Sequence, residues 1–166
     1  MRVRILSVFA AMSLLAACET APQTTAATSG AGAGTGAGTG AQATVAPGSQ
    51  QDLVVNVGDR VFFDFDKYNL KPEAQAALQK QAAWLKRYPN VRIQIAGNCD
   101  ERGTREYNLA LGERRANSAK DYLVSLGISP DRMRTISYGK SQALDMGHDE
   151  AAWAKNRRAQ FLIIEK

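Results

Sequence analysis

The hydrophobic positions divide the chain into three unlike stretches. Ile5 to Ala17 is an unbroken run of 13 residues, nearly all apolar, and 19–52 carries no periodic pattern. From residue 53 onward, apolar positions recur with clear periods. Val61-Phe62-Phe63-Asp64-Phe65 reads as a short strand, with Leu53–Val57 as an extended stretch before it. Asp66 to Leu70 is a polar turn. Pro72 then suits the first turn of a helix, which Ala74, Ala77, Leu78, Trp84 and Leu85 continue to Tyr88-Pro89. Val91 to Gly97 alternates as a half-buried strand would, and 98–104 is a polar loop. A long helix follows to Leu126, with Gly127 as its stop. Arg132 to Tyr138 is a third strand, Gly139 to Asp149 a loop, Glu150 to Asn156 a short helix, and Ala159 to Ile164 a final strand. The order βαβαβ(α)β predicts an α/β (α+β) domain, a mixed four-stranded sheet with helices packed against it.

The first stretch is too short to span a bilayer, which takes about 20 helical residues. Behind Arg2 and Arg4 it fits a secretory signal peptide over 1–17. Leu15-Ala16-Ala17-Cys18 resembles a bacterial lipobox, which implies cleavage before Cys18 and acylation of that residue. An ordinary signal peptide with an incidental cysteine is the alternative. Glu19 is not the aspartate that resembles an inner-membrane retention signal, so the outer membrane is the expected destination, with the domain facing the periplasm. Residues 18–52 then form the lipidated cysteine and a flexible Ala/Gly/Thr linker, and 53–166 the folded domain. A linker of this composition buries too little surface to fold, and reaches roughly 30–35 Å as a coil. Cys99 is left without an intrachain partner and is expected to be shielded.

Charge narrows the partners. The formal net charge of +5 falls to +3 once Arg2 and Arg4 are removed, with acidic residues interleaved throughout, which argues against nucleic acid. Within the long helix, Leu109, Gly112, Ala116, Ala119, Leu123 and Leu126 form the buried stripe. Asn108 and Arg115 lie seven apart on a neighbouring flank, beside the loop Asn98-Cys99-Asp100-Glu101-Arg102-Gly103-Thr104. A guanidinium fork suits a carboxylate and an aspartate suits an ammonium, so the two together would read a zwitterionic head. The helix N-terminus near Thr104 offers N–H groups to a second carboxylate. A structural Asp–Arg pair pinning loop to helix fits the same pattern. An arginine on that flank should be removable without loss of the fold. Asp64, Asp66, Asp100 and Glu101 could serve a glycosidase, but no nucleophile–base pair stands out. His148 is the only histidine, which disfavours His-based metal sites and triads. The expectation is a binding protein without catalysis, metal or cofactor.

The run from Gly97 to Ala116 (Gly-Asn-Cys-Asp-Glu-Arg-Gly-Thr-Arg-Glu-Tyr-Asn-Leu-Ala-Leu-Gly-Glu-Arg-Arg-Ala) resembles the wall-binding motif of the OmpA-like domains. Phe63-Asp64-Phe65-Asp66-Lys67, Ser137-Tyr138-Gly139-Lys140 and Gly147 to Ala159 narrow the resemblance to the peptidoglycan-associated lipoproteins of the Tol-Pal system. That resemblance implies noncovalent binding of peptidoglycan through the diaminopimelate of its stem peptide, with Asp100 on the ammonium and Arg115 on a carboxylate. Phe65, Asp66, Glu101, Arg102, Gly103, Thr104, Asn108 and Leu111 would surround the ligand. It also implies TolB and other Tol proteins as partners over the same surface and a role in envelope integrity and cell division; a single cleft would make wall and TolB compete for it. A wall-binding OmpA-like lipoprotein outside the Tol system is the alternative. Two positions depart from the pattern. Asn98 stands where many relatives have histidine, and Ser141-Gln142-Ala143 replaces a Glu-x-Pro in a loop expected to lie away from the Asp–Arg pair.

Overall fold

The computed structural model describes residues 45–166; the signal peptide, Cys18 and the linker up to residue 44 lie outside the described residues. The first element is a helical turn, α1 (Gln50–Asp52), that widens into a π-helical turn over Leu53–Val57. It corrects the expected extended stretch. Ser49 Oγ caps the turn by accepting from Asp52 N (3.1 Å). The Asp52 carboxylate accepts from Gly48 N, Asn56 Nδ2 and Trp84 Nε1 at 2.8, 2.7 and 3.0 Å. Leu53 is buried while Val54 and Val55 face solvent. The folded chain therefore begins before the expected boundary at residue 52. Gln50 also joins the sheet, its Nε2 donating to Phe161 O and its Oε1 accepting from Ile163 N (3.1 and 2.8 Å), as a strand neighbour would.

Strand β1 (Arg60–Phe62) is shorter than expected, because the chain leaves the ladder to bury Phe63 and send Asp64–Leu70 toward the helices. Helix α2 (Pro72–Arg87) carries a proline in its first turn and buries Ala74, Leu78, Ala82 and Leu85. Then come β2 (Arg92–Asn98), α3 (Arg105–Ser125), β3 (Met133–Gly139), α4 (Glu150–Asn156) and β4 (Arg158–Glu165). The sheet order is β1-β4-β2-β3, with β4 antiparallel to both neighbours and β3 parallel to β2. Parallel neighbours need a crossover, and α3 provides it. Leu78, Ile95, Ala116, Ala119 and Leu123 have no exposed surface and mark the centre of the core between sheet and helices. As one of the two inner strands, β2 is buried from Ile93 to Asn98 on both faces, not alternately as its sequence suggested.

One close approach sets the site. A Cβ on Gly97 would sit 1.8 Å from the carbonyl oxygen of Gly112, and one on Gly112 would sit 2.3 Å from Ser137 Oγ. Helix α3 thus lies on bare backbone at the C-terminal end of β2. Its first turns are held directly above the loop that leaves that strand, a usual place for a ligand.

Candidate functional site

A cavity of about 180 Å³ opens at this strand end, lined by Phe65, Asp66, Cys99, Asp100, Arg102, Gly103, Tyr107, Asn108, Leu111 and Arg115. Of the residues singled out in sequence, Phe65, Asp66, Asp100, Arg102, Gly103, Asn108, Leu111 and Arg115 therefore meet around one space. Glu101 and Thr104 stand outside it. Thr104 caps α3, its Oγ1 accepting from Tyr107 N (3.2 Å), so it serves the helix. Asn108 ties the loop to the helix, its Nδ2 donating to Arg102 O (2.7 Å) and Thr104 O (3.0 Å). Gly103 turns that loop at φ +88°, a conformation most side chains resist.

Arg115 is 1% exposed. Its Nε, Nη1 and Nη2 donate to the carbonyl oxygens of Lys67, Asn98 and Asp64 at 2.8, 2.8 and 3.0 Å. It does not pair with Asp100, and among the described residues no carboxylate lies within 4 Å of it. The pinning Asp–Arg pair that fitted the sequence is thus absent. Three of five N–H groups are used, so one on each Nη remains. Burial lowers the guanidinium's pKa from the ordinary arginine value, the direction expected of a cation lacking a counter-ion.

Asp100, 4% exposed, is paired elsewhere. Arg102 grips it through Nε on Oδ1 (3.2 Å), Nη2 on Oδ2 (2.6 Å) and its backbone N–H on Oδ1 (3.2 Å). Arg157 Nη1 adds a contact to Oδ2 at 3.3 Å. Burial raises this carboxyl's pKa, but the Arg102 and Arg157 contacts outweigh burial and hold it below the usual aspartate value. Arg157 is itself fixed by Phe63 O (3.1 Å) and Glu150 Oε1 (2.6 Å). The Arg102 guanidinium lies over the rings of Phe65 and Trp153, 4.0 and 4.1 Å from their centroids. The Tyr107 hydroxyl closes another side by donating to Asp66 Oδ1.

Sequence reasoning missed Tyr107, Arg157 and Trp153. Tyr107 stands inside the quoted motif, and its place one turn before Leu111 on the cavity-facing flank was the available signal. Arg157 and Trp153 lie more than 50 positions from Asp100; they stand inside the quoted stretch Gly147 to Ala159, but nothing in it links them to Asp100.

The 140–149 loop reaches the backbone of the site loop, while Ser141-Gln142-Ala143 lines no part of the cavity that holds Asp100 and Arg115. Lys140 Nζ donates to Glu101 O (3.0 Å) and Gly103 O (2.7 Å), and Ala143 lines a second cavity of about 150 Å³ together with Cys99 and Glu101. Cys99 separates the two cavities. It is 3% exposed, and burial pushes its thiol pKa up to about 11, so it is an unreactive wall residue. Asn98 is also buried, its Nδ2 donating to Ala96 O (3.0 Å) and its Oδ1 without a partner.

The Glu101 carboxylate faces outward, where His148 Nδ1 lies 2.8 Å from both its oxygens and Trp153 Nε1 donates to it (2.9 Å). His148 holds the Glu101 pKa down, and Glu101 holds that of His148 above its ordinary 6.5. A raised histidine pKa stabilises the folded state fully below the unfolded value, and that contribution is lost as pH rises through the folded one. The His148–Glu101 latch should therefore be closed at pH 6 and open as pH rises through the raised His148 value, above 6.5. An NMR titration of His148 should show the raised value, and Glu101→Gln should return it to near 6.5. An unchanged value in that variant would remove the latch.

A strand-end cavity that sets a buried guanidinium and a buried carboxylate, not paired with each other, around one space suits a small polar ligand. The family model described as the OmpA family matches residues 62–157, and the chain belongs to that family. It is 57% identical over 117 residues to the peptidoglycan-associated lipoprotein of Rhizobium meliloti, covering 70% of this chain and 66% of that one. Over 120 residues it is 54% identical to the protein of that name in Agrobacterium fabrum, covering 72% and 68%. The crystal structure of the peptidoglycan-associated lipoprotein from Burkholderia pseudomallei superposes with a TM-score of 0.62 at 47% identity, over 64% of this chain and 90% of that one. The C-terminal domain of Helicobacter pylori MotB, 18% identical with a TM-score of 0.61 over 65% and 85%, shares the fold.

Proposed function

We propose that this protein grips peptidoglycan noncovalently through the diaminopimelate of its stem peptide, and performs no chemistry on it. The observation that carries the reading is Arg115: a buried guanidinium with no carboxylate partner among the described residues and two spare N–H groups, at a cavity walled by Asp100 and Asp66. An incoming carboxylate supplies the missing counter-charge, and Asp100 receives the ammonium of the same amino-acid head. The relatives' name, peptidoglycan-associated lipoprotein, supports the same ligand and the acylation of Cys18. With that anchor in the outer membrane and the domain in the periplasm, the protein ties membrane to wall. TolB and other Tol proteins fit the exposed rings at the cavity, Phe65 and Tyr107, in competition with the wall.

Pull-down of the purified protein with intact sacculi tests the ligand. Diaminopimelate-type wall should capture it and lysine-type wall should not, because lysine lacks the second carboxylate that Arg115 needs. No muropeptides should be released. Asp100→Asn keeps the shape and loses the charge, and should weaken capture about thirtyfold or more. Equal capture by both walls would overturn the assignment.

A further inference from the structure

Asp100 has no vacant lone pair. An ionised carboxylate offers about four acceptor positions, and here four donors fill them. Three of these donors belong to Arg102 and one to Arg157. An ammonium can reach Asp100 only if one arginine lets go. Arg157 is the immovable one, its side chain 7% exposed and its other nitrogens bound to Phe63 O and Glu150. Arg102 is 31% exposed, stands next to the turn at Gly103, and beyond Asp100 is held by two ring faces and a loose 3.9 Å contact to Glu150.

We propose that Arg102 is a displaceable plug: its guanidinium occupies the ligand ammonium's place on Asp100, and must leave both that carboxylate and the slot between Phe65 and Trp153 before the ligand can enter. The inference rests on the reading of this cavity as a diaminopimelate site. A landing place already exists, since Glu150 Oε2 lies 3.9 Å from Arg102 Nη2 and is 66% exposed. The exchange conserves charge at Asp100, one cation replacing another, while the ligand carboxylate neutralises Arg115. The apo site thus keeps its buried aspartate paired until a second cation arrives. Departure of the guanidinium uncovers the Trp153 ring, whose Nε1 is bound to Glu101, so occupancy is also sensed on α4 and the 140–149 loop.

A site that must first open binds with an apparent Kd larger than its intrinsic one by the fraction open. Removing the plug should therefore strengthen binding. The test uses the purified full chain and the tripeptide L-Ala-γ-D-Glu-meso-diaminopimelate, with calorimetry for affinity and stopped-flow tryptophan fluorescence for rate. Wild-type emission should change on binding as the guanidinium leaves Trp153, over a constant background from Trp84, buried against Asp52. Arg102→Met fills the slot with an uncharged stem. It should bind about three- to tenfold more tightly, associate faster, and lose most of the emission change. Weaker or equal binding by Arg102→Met with wild-type binding intact overturns the plug alone. Unchanged wild-type emission at saturation does the same, without recourse to the variant. Failure of wild type to bind the tripeptide overturns the site reading and the plug together.

Discussion

Arg115→Ala should abolish capture by sacculi and lower the unfolding free energy by about 3–5 kcal/mol, not spare the fold as its place on a helix flank suggested. The arginine is the bolt between three segments: Asp64 and Lys67 on the chain after β1, Asn98 at the end of β2, and α3 itself. Alanine orphans three carbonyl oxygens, of which that of Asn98 is buried, and leaves a void beneath the Phe63 ring, whose centroid lies 5.2 Å from the guanidinium carbon. A buried acceptor without a donor costs about 1–3 kcal/mol, and the lost packing adds to it. Arg115→Lys restores the charge but not the planar fork, so it should recover part of the stability and little of the capture. Urea unfolding and sacculus pull-down separate the two effects, provided binding is scored where each variant is still folded. Wild-type stability in Arg115→Ala would show that the three carbonyls find other donors. Wild-type capture would send the ligand carboxylate elsewhere.

How far the molecule was legible in sequence depends on how local each cause is. Helix α4 falls on Glu150–Asn156 as expected, because Asp149 caps it by accepting from Ala152 N (2.8 Å) and every signal lies within a few residues. Leu53–Val57 was misread for the opposite reason. Three valines in a pentad broken only by Asn56 look extended, but the Asp52 carboxylate holds the turn against Gly48, Asn56 and Trp84, the last 32 positions away. The site shows the same contrast. The motif from Gly97 to Ala116 places Asp100, Arg102, Asn108, Leu111 and Arg115 at one cavity because a single loop and helix carry them. That Asp100 also pairs with Arg157, beyond its loop neighbour Arg102, and Arg115 with carbonyls, depends on where β1 and β4 bring Phe63, Asp64 and Arg157. Residue types named the participants; apart from the local Asp100–Arg102 contact, the sheet order paired them.

The most damaging single methyl group should be one that touches no ligand. In Gly97→Ala the new Cβ falls 1.8 Å from the carbonyl oxygen of Gly112, a backbone atom that no rotamer change can move aside. Helix α3 must then shift by more than an ångström, although Ala116, Ala119 and Leu123 are wholly buried and have no slack. Loss of about 4 kcal/mol or more is expected, at the far end of what single substitutions do. Because α3 carries Asn108, Leu111 and Arg115, any folded fraction should also capture sacculi poorly, with every ligand-facing side chain unchanged. Gly112→Ala should be milder. Its nearest obstruction is Ser137 Oγ at 2.3 Å, the end of a side chain that can rotate, leaving a 2.9 Å contact with Gly97 O. Chemical unfolding of the two variants should rank Gly97→Ala well below Gly112→Ala. The reverse order would mean that the strand yields more readily than the helix, and that the approach of α3 to β2 is not what aims Arg115 at the cavity.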